Sequence, residues 1–144
     1  MDYILLYSFG IILIFSIIGY GFLFSKIINK ELLSYNLGYQ GLLGIFFLTI
    51  ISYTTIFFTK HGYVHNLLLH LIGLVSFFYF FNKSRSFFEI KRLIFIFSIL
   101  FIGILILVNH DDFSYYHLTY SLGLTEDKLV FGLGNFQHGY KHHS

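Results

Sequence analysis

Cysteine, proline, tryptophan and alanine are all missing from this chain of 144 residues, and charged residues make up only 11% of it. The lack of cysteine excludes disulfides, thiolate nucleophiles and cysteine-ligated metals, whatever compartment the protein meets. Without proline there is no proline kink, and no internal repeat or low-complexity linker divides the sequence. The missing residue types, beside abundant Phe, Ile, Tyr, Lys and Asn, point to an AT-rich coding sequence rather than to a mechanism. Scarcity of charge has the larger consequence. With 56% hydrophobic residues and a mean hydropathy of +0.74, the chain has too little polar surface to cover a water-soluble globule. A membrane protein is expected.

Four uncharged runs approach the length needed to cross a hydrocarbon core of ~30 Å at ~1.5 Å per residue: 3–24, 37–58, 64–81 and 93–108. The fourth falls just below the usual span, so Arg92 is expected to snorkel at one end and Asn109 to mark the other. A β-barrel would alternate apolar and polar residues, whereas these runs are apolar on every side. The first run lacks a basic leader and a small-residue cleavage site, so it is expected to remain in the mature protein. The predicted fold is an all-α membrane protein. About four transmembrane helices occupy 1–108, and short amphipathic helices follow in an extracytoplasmic loop or tail, 109–144.

Basic residues in short loops set orientation. Lys26 and Lys30 flank the first connection, and Lys83, Arg85, Lys91 and Arg92 the third; Lys60 stands alone in the second, and Lys128 and Lys141 are in the tail. Both termini are therefore expected outside the cytoplasm of a bacterial inner membrane, in a multi-pass protein. His61, His65, His70, His110, His117, His138, His142 and His143 then gather on or near the outer face, with Asp111, Asp112, Glu126 and Asp127.

Two conspicuous patterns carry no chemistry. Gly38, Gly41 and Gly44 form a stripe in the second run, where another helix can approach closely. The 12 Tyr and 20 Phe, with Tyr3, Tyr7, Tyr35, Tyr39 and Tyr63 at belt positions, report depth in the lipid. The net charge of +2 is accounted for by topology-setting loop residues, so nucleic acid is not an expected partner.

Past Val108 the pattern changes to Asn109-His110-Asp111-Asp112-Phe113-Ser114-Tyr115-Tyr116-His117. Asp111 or Asp112 can cap a short helix reaching about Leu122 and ended by Gly123, with a second helix starting at Thr125-Glu126-Asp127. Asp112, Tyr116 and Tyr120 then share one helical face. Capping alone satisfies such an Asp, so the pair by itself needs no substrate.

The stretch 112–117, an Asp followed four and five positions later by Tyr and His, resembles the acidic loop motif of polytopic C-type glycosyltransferases and an allied family of bacterial membrane proteins. Gly132-Leu133-Gly134-Asn135-Phe136-Gln137-His138-Gly139 resembles the Gly-Asn-His-Gly segment that follows in the same family. The resemblance covers roughly the last quarter of the chain. It implies transfer of a sugar from a polyprenyl-phosphate donor to an acceptor at the outer face of the membrane. Asp112 is the implied general base, with Asp111 in support. Tyr116, His117, Asn135 and His138 become substrate-contacting candidates, and Asp111 and Asp112 candidate ligands for a divalent metal. Members of that family are much longer, so a fragment or remnant, inactive as 144 residues, is expected.

Two alternatives stay open. His61-Gly62-Tyr63-Val64-His65 and His138-Gly139-Tyr140-Lys141-His142-His143 look like histidine boxes of membrane di-iron oxygenases, since imidazoles one turn apart can share a metal. The other is a small helical membrane protein acting through assembly with a partner along Gly38, Gly41 and Gly44.

Overall fold

The computed structural model describes residues 3–84, 87–106 and 117–128. Every regular element among them is helical: α1 (Tyr3–Ile28), a 3₁₀ turn (Lys30–Ser34), α2 (Leu37–Thr55), α3 (Tyr63–Ser84), α4 (Phe87–Ile106) and α5 (His117–Glu126). Asparagines punctuate the first connection. Asn29 Oδ1 accepts from the Glu31 amide at 2.9 Å to open the 3₁₀ turn. Asn36 Oδ1 accepts from the Tyr39 amide at 2.9 Å, capping α2 and satisfying an amide that has no partner within the helix.

Three helices are long and apolar enough to cross a membrane: Tyr3–Ile28, Leu37–Thr55 and Tyr63–Phe81. That is one fewer than the four expected. The difference lies in α4, which begins at Phe87 rather than Leu93 and carries Glu89, Lys91 and Arg92 in its first two turns. Its uncharged part, Leu93 to Ile106, covers only ~21 Å at ~1.5 Å per residue. Residues 107 and 108 lie outside the described residues. α1 also runs one turn past its expected end, because Ser25 is buried against α2 and Lys26 places its Nζ 5.6 Å from the centre of the Phe80 ring.

Two compact units divide the chain, one of residues 1–51 and 68–107, the other of 52–67 and 108–144. Within the first, α1 is the hub. Gly21 meets the Gln40 carbonyl and Gly44 meets that of Ile17, so α2 runs antiparallel to α1. Gly19 meets the Gly73 carbonyl while Phe22 packs on Phe77 and Phe80, so α3 runs parallel to it. Tyr7 contacts Phe101, Phe97 and Ser98 while Ile11, Ile14 and Phe15 face Leu93, Ile94 and Phe97, so α4 is again antiparallel. Residues 18–22 of α1 are buried on every side. Ile18, Phe22, Leu37 and Phe77 form the core, with Phe15 stacked on Phe77 at 4.7 Å. Gly44 of the predicted stripe is thus occupied by α1 of the same chain, whereas Gly38 meets only the Asn36 side chain.

Outward-facing Leu42, Ile45, Phe46, Leu71, Ile72, Val75, Ile99 and Ile102 are exposed. Such a continuous apolar exterior suits lipid and not water. Polar groups are turned inward instead. Ser25 Oγ donates to Gln40 Oε1 at 2.8 Å, and Gln40 Nε2 donates to the Leu32 carbonyl at 2.6 Å, tying α1, the 3₁₀ turn and α2 together. Gln40 is fully buried, so Gln40→Leu deprives the buried Ser25 hydroxyl of its acceptor and is expected to cost ~1–3 kcal/mol. A shift in the unfolding midpoint in mixed micelles measures it. His70, expected near the outer face, lies seven residues into α3, with its Nδ1 3.3 Å from Ser16 Oγ midway along α1.

Candidate functional site

Of the residues singled out by the glycosyltransferase resemblance, Asp111, Asp112, Tyr116, Asn135 and His138 lie outside the described residues, as does His138-to-His143 of the second histidine box. His117 is described: it is the first residue of α5 and is exposed. Tyr120, which shares the predicted face with Asp112, is half-buried in the same helix.

α5 corrects two expectations. It does not stop at Gly123 but continues to Glu126, and the Asp127 amide closes its last turn on the Gly123 carbonyl at 2.9 Å. Glycine in a solvent-facing helix interior costs only ~1 kcal/mol against alanine, too little to force an end here. Thr125 therefore does not open a second helix; its Oγ1 donates to the Leu122 carbonyl at 2.7 Å within α5. Tyr120 and Leu124, one turn apart, are the partly covered side of this short helix.

The second unit brings α5 to the α2–α3 connection. The His61 amide donates to the Leu124 carbonyl at 2.9 Å. A Cβ at Gly62 would stand 3.4 Å from the Thr125 carbonyl, so the two segments lie in van der Waals reach at this crossing. Local chemistry fixes the connection itself. The Phe58 and Thr59 amides both return to the Thr55 carbonyl at 3.0 and 2.9 Å, ending α2, and the Asn66 amide bonds the Gly62 carbonyl at 3.1 Å, starting α3.

Here the first histidine box has a definite geometry. The His61 and His65 rings stack with centroids 4.4 Å apart and planes within 4°. Both Nε2 atoms face one hydroxyl, Thr55 Oγ1, at 3.0 Å from His61 and 3.2 Å from His65. Asn66 braces the pair from behind: its Nδ2 donates to the His61 carbonyl at 2.9 Å, and its Oδ1 stands 3.3 Å from His65 Nδ1. The amide's donor end is committed to a carbonyl, so the Oδ1 must accept. His65 then carries its proton on Nδ1 and turns a bare Nε2 toward Thr55.

Burial pushes the His61 imidazole below its usual pKa of 6.5, and the neighbouring His65 charge adds to that; a hydrogen bond with the Ser52 backbone works the other way. The neutral ring is thus favoured in the folded state. The unfolded chain binds the proton more readily between the lowered folded value and 6.5, so the stabilisation is complete above 6.5 and is lost as pH falls through that window. Exchange of the His61 amide, corrected for intrinsic rate, is therefore expected to accelerate on acidification from pH 7.5 to 5. An unchanged protection factor would contradict it.

Among the described residues, no three His, Asp or Glu gather closely enough to hold a metal ion together. The polar side chains buried there all have hydrogen-bond partners. No family profile, curated protein or solved structure matches the chain.

Proposed function

We propose that this is an integral membrane protein whose working surface is the end bearing the α2–α3 connection and the segment after α4. We further propose that the surface serves transfer of a sugar from a polyprenyl-phosphate donor to an acceptor. In this reading α4 is a fourth span. Its antiparallel run beside α1 supports that, since the two helices share the levels occupied by Tyr7 to Phe15. Alternating directions put the start of α1 and the last turns of α4 at one end of the first unit, and Lys26, Lys30, Lys91 and Arg92 at the other. The positive-inside rule then favours an extracytoplasmic working end in an inner membrane.

The transferase reading rests on the two sequence patterns, 112–117 and 132–139. The helix opened by His117, the last residue of the first pattern, is held by the His61–Leu124 backbone bond against the α2–α3 connection. By the resemblance, Asp112 would take the proton from an acceptor hydroxyl as it attacks the anomeric carbon and polyprenyl phosphate departs; an aspartate carboxyl, with ordinary pKa ~3.9, is ionised for the task at neutral pH. The test is a transfer assay: membranes carrying the protein, supplied with a radiolabelled polyprenyl-phosphate sugar, should move label to an acceptor above the level of membranes lacking it. Equal labelling in the two preparations refutes the activity.

A further inference from the structure

Beyond sugar transfer, and independent of it, we propose that His61 and His65 form a binding site for one divalent transition-metal ion of the zinc class, with their Nε2 atoms as ligands and Asn66 as a positioning residue.

Three features of the site argue for this. Both Nε2 atoms lie within 3.2 Å of one position, the Thr55 hydroxyl, on parallel rings 4.4 Å apart. Imidazole nitrogen is a preferred donor for such ions, at ~2.0–2.1 Å. An ion there therefore needs the rings to rotate out of their parallel stack until the in-plane lone pairs converge, and the hydroxyl to withdraw. Thr55 can withdraw without loss, because the Ser52 carbonyl stands 3.3 Å from its Oγ1 as an alternative acceptor.

The second feature is the brace. Metal-binding histidines characteristically give their other ring N–H to an oxygen acceptor, which fixes the tautomer and raises ligand basicity. Asn66 Oδ1 does this for His65 Nδ1, and its own orientation is locked by the His61 carbonyl. A pair of histidines placed only for packing has no need of this arrangement.

Third, both rings are half-buried rather than sealed, so water can complete the coordination sphere. Two protein ligands with water in the remaining positions make a modest, exchangeable site. Because His61 also bonds α5 through its amide, an ion there would tie the start of α3 to the connecting segment that holds the end of α5.

The experiment is a Zn(II) titration of the purified protein in nanodiscs at pH 7.5 against a chromophoric chelator, with Cu(II) electron paramagnetic resonance as a second readout. Wild type is expected to hold one more equivalent of Zn(II) than His61→Gln/His65→Gln, and its Cu(II) spectrum should show coupling to two nitrogens that the double variant loses. Asn66→Ala should weaken this equivalent about 10–100-fold while both ligands remain. Thr55→Val removes the competing hydroxyl and keeps both imidazoles, so it should retain the equivalent; helix content by circular dichroism shows that each variant is folded. Equal Zn(II) stoichiometry in wild type and in the folded double variant overturns the site, and so does loss of the equivalent in folded Thr55→Val.

Discussion

Gly19→Ala is expected to dismantle the packing of α1 on α3, at a cost of ~3 kcal/mol or more. A methyl group at position 19 would fall on the Gly73 carbonyl and its carbon, and close to the Phe77 amide. These are backbone atoms of a helix and cannot rotate away as a side chain can, so relief requires the two helices to separate. Overpacking ordinarily costs ~1–3 kcal/mol, and a backbone collision sits at the upper end or beyond. Separation would also loosen Phe77, which is fully buried and stacks on Phe15 and Phe81. The check is equilibrium unfolding in mixed micelles, with Gly103→Ala as the control, since nothing lies within 4 Å of a Cβ at that position. Gly103→Ala should match wild type or exceed it by up to ~1 kcal/mol, since alanine is the better helix former. If Gly19→Ala unfolds at the same denaturant fraction as Gly103→Ala, the close crossing of α1 and α3 is not what holds this region together.

Asp112→Asn is expected to lower sugar transfer about 10²–10⁴-fold, the range that a positioned general base contributes. The substitution is informative because it separates the two roles open to this residue. Asparagine caps a helix as well as aspartate does, so a residue serving only as a cap would tolerate the change with its fold and activity intact. An amide, however, cannot accept the acceptor's proton. The loss should fall on kcat with little change in KM, as for an interaction made only in the transition state. Asp111→Asn provides the comparison: neighbouring residues on a regular helix point ~100° apart, so the two should not be equivalent unless both hold a cation. Full activity in Asp112→Asn would remove this residue from the chemistry.

Three helices long and apolar enough to cross a membrane could be read from the sequence because uncharged apolar runs leave few other choices. Their limits could not, since those depend on partners elsewhere in the chain. Ser25 and Lys26 look like a helix end until Gln40 and Phe80 are placed beside them. In α4, Glu89, Lys91 and Arg92 are read as a loop, yet Lys91 and Arg92 reach back one turn to the Phe87 and Phe88 rings and stay helical.

The glycine pattern was legible in part: Gly44 does meet the backbone of a neighbouring helix, but the tightest positions on α1 drew no pattern. A stripe repeats every three or four residues, so Gly38, Gly41 and Gly44 stood out. Gly19 and Gly21 are two residues apart, ~200° around the helix, and serve two different neighbours, α3 and α2. Such a pair draws no stripe. His61 and His65 were legible as a pair from their spacing, but Thr55 as their common focus and Asn66 as their brace were not, because both depend on how the α2–α3 connection turns. The residues carrying the transferase resemblance, His117 apart, lie outside the described part of the structure and rest on sequence alone.

Since α1 touches α2, α3 and α4, its place at the start of the chain gives biogenesis a direction. The nascent first helix enters the bilayer with its glycines and Ser16, Tyr20 and Ser25 facing lipid, and each helix delivered afterwards covers another part of that surface. Gln40 arrives with α2 to receive Ser25, and then α3 brings the Leu69 carbonyl to accept from the Tyr20 hydroxyl. Until α3 has been inserted, α1 is an incomplete template whose uncovered grooves any passing helix could enter.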